Sequence, residues 1–348
     1  MSLAQLLLQV AVRGTVVLLA TALAALLFRR ASAATRHLVW TGGLAASLLV
    51  SLVPSLGPSL PLLPRVSPPA TLLETPRGSS ALLDHTVQTT TTSAPGGWTG
   101  LLPLIEEPRR ASTAQPAPGT NYPSSVSSVW ISLAVMAWLI GIGLVALRLV
   151  AGQLALARLI RHAVPVASPE WRSTLLEPGM LRGLGMVRFL ESAEVATPCT
   201  WGFLHPTVLF PAEGAEWSAD ARRQVVIHEL AHVRRFDSLT HLVGSLACAV
   251  QWFNPLAWLA LRFTRVTREQ ACDDAVLADG GVPSAYASLL LTAAAPEHGG
   301  PWMPVEALAM ARRSQIGERL LALLDPARRR DPADRRAVGW VSLAALAV

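Results

Sequence analysis

His228-Glu229-Leu230-Ala231-His232 is the stretch of this chain whose residue types and spacing could do chemistry. Two histidines four apart on a helix point to the same face. Neutral imidazoles so placed can hold one Zn²⁺, and the glutamate beside the first histidine can take a proton from the water that attacks a substrate. The motif alone also arises by chance, so its surroundings decide. Gln224-Val225-Val226-Ile227 lead into it as an apolar approach, and Val233-Arg234-Arg235-Phe236-Asp237 follow as a basic exit.

A helix must carry this motif. Ser218 is a good N-cap, with Ala221 rather than Glu three residues on, so the spacing predicts a helix over 219–235 without a full capping box. A zinc site with catalytic capacity needs a third protein ligand. Residues 238–261 are uncharged apart from His241 and could be taken for a membrane span, but Asn254-Pro255 reads as an N-cap and first helical residue, where a new helix starts. The 238–253 piece would then be about 24 Å long, short for a bilayer core of about 30 Å. It is expected to enter the membrane surface and turn back. The returning helix, 255–279, carries Glu269 and Asp273 four apart on one face. Glu269 can then reach the metal, and Asp273 can orient a ligand histidine. Asp237 and His241 are competing ligands, but Asp237, five residues past His232, falls on a different part of the helix face and reads rather as a helix-end or arginine partner. Glu269 and Asp273 could equally form a solvated face paired with Arg265 and Arg268. The ligand assignment and the hairpin stand or fall together.

Only 15% of the 348 residues are charged and 51% are hydrophobic. A soluble domain carries about a quarter charged residues, so the composition points to a membrane protein. The formal net charge is +6, and the basic residues other than histidine are all arginine. They cluster at the ends of apolar runs, which fits a positive-inside bias better than a nucleic-acid surface. Cys199, Cys248 and Cys272 are far apart and form no Cys-x-x-Cys pair, so they read as buried core residues rather than disulfides or thiolate ligands.

Residues 3–28 form an apolar run long enough to span a bilayer. Arg13 interrupts it and is expected to snorkel to a headgroup. A signal peptide is disfavoured by the lack of a charged start and by the second apolar run close behind. That second span, within 37–64, should end near Pro54. Arg29, Arg30 and Arg36 between the two place this connection in the cytoplasm and the N-terminus outside. Residues 65–125, rich in Pro, Ser, Thr and Gly, read as a flexible extracytoplasmic loop with too few large apolar residues for a core of its own. A third span covers 126–147, and Arg148, Arg158 and Arg161 after it put the rest of the chain on the cytoplasmic side. There, Val187-Arg188-Phe189-Leu190 is a plausible strand. The stretch 197–211, punctuated by Pro and Gly, holds two short β-prone pieces. Such an edge can hold an extended substrate by main-chain hydrogen bonds, or be an ordinary hairpin on the catalytic helix.

Three segments together resemble a known family: His228 through Asp237, Phe253-Asn254-Pro255-Leu256-Ala257-Trp258, and Arg268-Glu269-Gln270-Ala271-Cys272-Asp273-Asp274. The Thr197–Gly202 stretch leading to Pro211, and Arg312-Arg313-Ser314-Gln315 leading to Leu324, are similar too. The family is that of the BlaR/MecR-type integral-membrane zinc metallopeptidases, and the match is strongest over 197–324. The resemblance implies a gluzincin-type protease domain facing the cytoplasm, zinc on His228, His232 and Glu269, and Glu229 as general base. Its antirepressor members sense a β-lactam outside, cleave themselves and promote loss of a transcriptional repressor. Here no penicillin-binding domain and no Ser-x-x-Lys motif is present, so β-lactam sensing is not supported.

The expected fold is mainly α: a multi-span membrane protein with a small α+β zincin-like domain on the cytoplasmic side. Its parts are two transmembrane helices in 1–64, the extracytoplasmic loop 65–125, the third transmembrane helix 126–150, the peptidase domain 151–327, and a basic segment with the start of a truncated fourth helix, 328–348. The expected function is a zinc endopeptidase of the cell membrane, multi-pass, that transduces a signal by cleaving itself or a cytoplasmic regulator. Candidates to stabilise the oxyanion are Arg268, His205 and Tyr286. The partners expected are a protein substrate and the lipid bilayer, with homodimerisation left open and no direct nucleic-acid binding. A prenyl-protein or stress-type membrane protease shares His-Glu-x-x-His and a downstream glutamate. A non-catalytic scaffold with a structural zinc is the reading from another class, and the intact Glu229 argues against it.

Overall fold

The computed structural model describes residues 3–52, 125–293 and 316–333. The expected loop up to residue 124, the end of the second span at 53–64, Arg312 to Gln315 and the start of a fourth helix beyond 333 lie outside the described residues. Twelve α-type and β-type elements matter here, and they belong to one unit. They are α1 (Leu3–Leu27), α2 (Ala33–Leu52), α3 (Ser125–His162), β1 (Val164–Pro165), α4 (Pro169–Leu175), β2 (Arg188–Ser192), β3 (Cys199–Trp201), β4 (Thr207–Pro211), α5 (Ala219–Arg234), α6 (Asp237–Val250), α7 (Pro255–Ala278) and α8 (Pro283–Ala293). The described chain is mainly helical with one small sheet.

Among the described residues, two helical stretches are long and apolar enough to cross a membrane, Leu7–Leu27 in α1 and Val129–His162 in α3. α3 runs unbroken for 38 residues, about 57 Å at 1.5 Å per residue. It continues past Arg148, where the sequence predicted the span to end, because 148–162 is rich in Leu, Ala and Arg, all good helix formers. Arg13 does not snorkel. It is 7% exposed, packed inside the helix assembly and engaged there, which is where a charge within an apolar helix is kept when polar partners exist.

α2 lies against α1, α6 and α7. It buries polar Thr35, His37, Ser47 and Ser51 along with Val39 and Leu44, so its sides face protein rather than lipid. At Gly43 an added Cβ would stand 2.1 Å from Thr21 Oγ1. The backbones of α1 and α2 approach closely there, as small residues permit.

The predicted hairpin is present. α6 ends at Val250, and Asn254 caps α7, its Oδ1 accepting from Leu256 N at 3.0 Å. The turn is anchored by side chains of both neighbours. Gln251 Nε2 donates to the Ser47 carbonyl at 3.2 Å, and Asn254 Nδ2 donates to Thr15 Oγ1 at 3.1 Å. α7 then runs back along α2, passing Trp40 with Phe263 stacked at 5.0 Å and His37 with Nδ1 3.1 Å from the Thr264 carbonyl. Leu18, Leu44, Cys248 and Leu261 share one core in this bundle.

The sheet has strand order β1-β2-β4-β3. β2 and β4 are parallel, while β1 and β3 pair antiparallel at the two edges. β4 buries all five residues. On one side its Phe210 stacks on Trp171 of α4 at 4.2 Å, within a core that includes Val226 and Leu230 of α5 and Tyr286 of α8. On the other, Leu209 and Leu190 meet Ile160 of α3. Gly202, at φ +84°, makes the tight turn from β3 to β4, a conformation that only glycine adopts without strain.

Candidate metal centre

α5 starts where its sequence says it should: Ser218 Oγ accepts from Ala221 N at 3.2 Å, and Asp220 sits in the first turn. Its inner face buries His228, Glu229 and Leu230. α7 packs across it, which brings Glu269 to the motif. Glu269 Oε2 lies 3.6 Å from His228 Nε2 and 3.9 Å from His232 Nε2. Ligand atoms about 2.1 Å from one tetrahedral zinc stand roughly 3.4 Å from one another. Both separations from Glu269 are thus a few tenths of an ångström wider than in a closed site. Glu229 also brings a carboxylate oxygen within 4.8 Å of both imidazoles. Of the two carboxylates, Glu269 fits the ligand role better, because its other oxygen is already fixed. Arg268 Nε and Nη2 donate to Glu269 Oε1 at 3.1 and 2.9 Å, leaving Oε2 toward the histidines.

Each histidine is oriented through its far nitrogen. His228 Nδ1 lies 3.0 Å from the Tyr286 hydroxyl and 3.3 Å from Asp273 Oδ1, and that hydroxyl donates to Asp273 Oδ1 at 2.9 Å. Arg319, in the helical residues 316–324, grips Asp273 with Nε at 2.9 Å and Nη2 at 2.6 Å. His232 Nδ1 donates to Asp237 Oδ2 at 2.8 Å. These partners place the ring protons on Nδ1 and turn both Nε2 lone pairs toward Glu269, the arrangement in which histidine binds a metal. The donor chemistry therefore fits a divalent cation such as zinc.

The carboxylates around the histidines favour positive charge between them. Burial pulls His228 down, but its hydrogen bonds to Asp273 and Glu269 outweigh it and raise the imidazole to about 9. Burial pushes Asp273 up, yet the Arg319 fork and His228 overcome it and hold the carboxyl at about 2. Glu269 is likewise kept well below the usual carboxylate range despite burial, by His228 and Arg268. The pocket is built to hold carboxylates ionised beside a group that wants positive charge.

Glu229 points to the sheet. Thr200 Oγ1, on β3, lies 2.8 Å from its Oε2 and 3.2 Å from its carbonyl oxygen. β3 pairs with β4 alone among the described strands, so the free edge of the sheet borders the candidate base.

Asp237 starts α6 and has Arg235 Nε 3.4 Å from its Oδ1, the helix-end and arginine-partner place the sequence suggested, and it also reaches His232. Five residues beyond His232, it should fall on another part of the helix face. The chain breaks at Phe236, which adopts φ 54°, ψ 39°, the left-handed region. That turn ends α5, starts α6 at Asp237 and swings its carboxylate back to His232. A bulky residue there costs on the order of 1–2 kcal/mol. Cys272 Sγ, 3.3 Å from His232 Nδ1, packs at the same spot. His232, Asp237 and Cys272 form a second cluster of metal-ligand type. It uses the Nδ1 that Asp237 already engages, and burial together with Asp237 pushes the Cys272 thiol well up, so it reads as support for His232. The other competing ligand, His241 on α6, makes none of these contacts and faces the charges of Arg268 and Arg265.

The oxyanion candidates are placed otherwise. Arg268 is committed to Glu269. His205 is exposed in the β3–β4 turn. Tyr286 sits at the Nδ1 edge of His228, opposite the converging Nε2 atoms. A Tyr286→Phe variant is therefore expected to bind metal about tenfold more weakly, the scale of losing a partner of a ligand histidine. A titration with zinc in competition with a chelator measures this. Unchanged affinity with a lowered turnover would return Tyr286 to the oxyanion role. Sequence reading missed Arg319, Thr200 and the positioning role of Asp237. Arg319 and Thr200 lie in the family-like stretches, and Asp237 carried the signal of an acid at a helix start.

The BlaR1 peptidase M56 family matches residues 5–323. Regulatory protein BlaR1 of Bacillus licheniformis is 30% identical over 155 residues, 43% of this chain. The matched part is 26% of that relative, so the chain corresponds to about a quarter of its length. With the helical motif, the returning glutamate helix and the apolar helices all inside the matched range, the chain belongs to the BlaR1 peptidase M56 family, as a membrane-associated member.

Proposed function

We propose that the chain is a membrane-embedded zinc endopeptidase that cleaves itself or a cytoplasmic regulator such as a repressor. The observation that carries this reading is the convergence of His228 Nε2, His232 Nε2 and Glu269 Oε2 beside a carboxylate that takes no part in holding them in place, Glu229. A structural site has no use for such a base.

His228, His232 and Glu269 would hold the metal, which when bound supplies Lewis acidity toward the scissile carbonyl and its attacking water. The rest falls to the chain's own groups. The β3 edge offers main-chain hydrogen bonds to an extended peptide. Glu229, aimed by Thr200, takes the proton of the attacking water and delivers it to the leaving amine. Asp273, Tyr286 and Asp237 keep both imidazoles turned correctly, and Arg268 keeps Glu269 ionised.

The same packing supports a membrane layout. α1, α2 and α3 span in this reading, with 65–125 as the extracytoplasmic loop between the second and third. The turn at Gln251–Asn254 meets α2 at Ser47 and Ser51, while Asp237 meets it at His37. From His37 to Ser51 is about 21 Å along a helix, less than the bilayer core of about 30 Å. The α6–α7 hairpin therefore dips in and returns, keeping Glu269 on the side of the motif. Arg29, Arg30, Arg158 and Arg161 make that side cytoplasmic.

The purified full chain, reconstituted in vesicles, is expected to fragment itself or cut an unfolded protein such as denatured casein. A zinc chelator should stop this and added zinc restore it, read by mass spectrometry of the fragments. Cleavage insensitive to chelation, or none of either substrate by a zinc-loaded chain, would overturn the reading.

A further inference from the structure

The turn between α5 and α6 is strained where it need not be. Among the described residues, Phe236 is the one non-glycine residue at positive φ, and a bulky residue is disfavoured in the left-handed region. Glycine would adopt this turn freely. The backbone around it is nonetheless tied. Phe236 N donates to the Val233 carbonyl at 3.1 Å, and the Phe236 carbonyl accepts from Leu239 N at 2.9 Å and Thr240 N at 3.1 Å. The ring gains little from the protein, since Phe236 is 58% exposed. A strained and exposed phenylalanine at the point that swings Asp237 onto His232 calls for a partner outside the chain.

Its depth identifies that partner. Asp237 Oδ1 lies 3.6 Å from His37 Nε2, and His37 stands four residues into α2 from Ala33, about 6 Å along the helix. Arg29 and Arg30 lie in the connection just before α2, so the turn sits roughly one helical turn below the level of these charges. At the same end of α1, Leu23, Leu26 and Leu27 are exposed. On α6, Leu239 and Leu246 are exposed as well, seven residues apart and so on one face. The apolar surface of α6 therefore starts at Phe236 and runs on into the hairpin. Phe and Leu side chains on such surfaces bury about 5–10 Å into the boundary between lipid headgroups and acyl chains.

We propose that Phe236 is a membrane anchor whose ring inserts among the acyl chains just below the phospholipid headgroups, and that its burial there holds the left-handed turn closed. The occupant of this surface is the lipid bilayer, continuous with the exposed apolar faces of α1 and α6. Removing the ring from water offsets the strain of the backbone. Because the turn places Asp237 against His232, lipid contact also keeps that imidazole in its metal-binding orientation. The inference rests on the membrane layout proposed above.

The test uses the full chain in phosphatidylcholine vesicles, with a benzophenone-bearing phenylalanine introduced singly in place of Phe236 or Leu246. After illumination, mass spectrometry reads what each position has captured, and lipid adducts are expected at both. Amide hydrogen exchange follows the turn itself through the hydrogen-bonded amides of Phe236, Leu239 and Thr240. Phe236→Ala keeps the strain and deletes the ring, so these amides should exchange about tenfold faster. Phe236→Gly deletes the ring and the strain together, so they should exchange at or below the wild-type rate. Lipid adducts at Leu246, with protein adducts alone or none at Phe236, would overturn the anchor. Lipid adducts at neither position would overturn the membrane placement of α6 and the anchor with it. Equal acceleration in Phe236→Ala and Phe236→Gly, or none in Phe236→Ala, would overturn the link between ring and turn. Neither readout involves metal or cleavage, so a chain without peptidase activity can still pass.

Discussion

Glu229→Gln should leave the chain folded and zinc-loaded and stop peptide cleavage. The substitution is nearly isosteric, and Thr200 Oγ1, 2.8 Å from Oε2, can still donate to the amide oxygen of Gln. His228, His232 and Glu269 hold their positions through Asp273, Asp237 and Arg268, none of which touches Glu229 through its side chain. What is lost is the basic site for the water proton. General-base catalysis contributes about 10²–10⁴-fold, or roughly 3–5 kcal/mol of barrier. Fragment yield by mass spectrometry and metal content by elemental analysis, measured on one preparation, check both halves. A variant that cleaves within about threefold of wild type would remove Glu229 from the mechanism. One that lost its zinc would make Glu229 a ligand, as its nearness to both imidazoles would also permit.

The second large effect concerns Glu269. Glu269→Ala deletes one of three converging donors and should drop bound zinc from about one per chain to near none after dialysis. It also frees the Arg268 fork, so Glu269→Gln serves as the companion: it can still accept from Arg268 but offers only a neutral, weaker ligand. Asp237→Asn separates ligand from orienting partner. If Asp237 acts only through His232 Nδ1, affinity should fall about 10–100-fold without abolishing binding. Zinc retained in full by Glu269→Ala but lost in Asp237→Asn would exchange the two roles. Zinc retained in both would place the metal elsewhere.

Much of this site was legible before any coordinate. His-Glu-x-x-His names a helix face and two imidazoles by spacing alone. Ser218 and Asn254-Pro255 mark the starts of α5 and α7, because N-cap preferences are local hydrogen-bond chemistry. The shortness of 238–253 foretold a hairpin rather than a span. Local signals fail where an element's path depends on its neighbours. α3 ran on beyond Arg148 because nothing local stops a helix there. The helix predicted after residue 37 packs against α1, α6 and α7, and its polar residues serve as anchors for Gln251 and a contact for Asp237.

The sequence by itself determined the catalytic helix, its caps, the apolar runs and the residue types that a metal would need, since each follows from spacing within a single element. Only the tertiary structure decided which imidazole Asp273 meets and brought Tyr286, Asp237 and Arg319 to join it in holding the two rings. Asp237 reaches His232 because Phe236 turns left-handed, and Asp273 and Tyr286 meet His228 because α7 and α8 pack on α5. Arg319 arrives at Asp273 from 46 residues away. Such contacts between elements depend on how buried surfaces fit together, and no periodicity along one element encodes them.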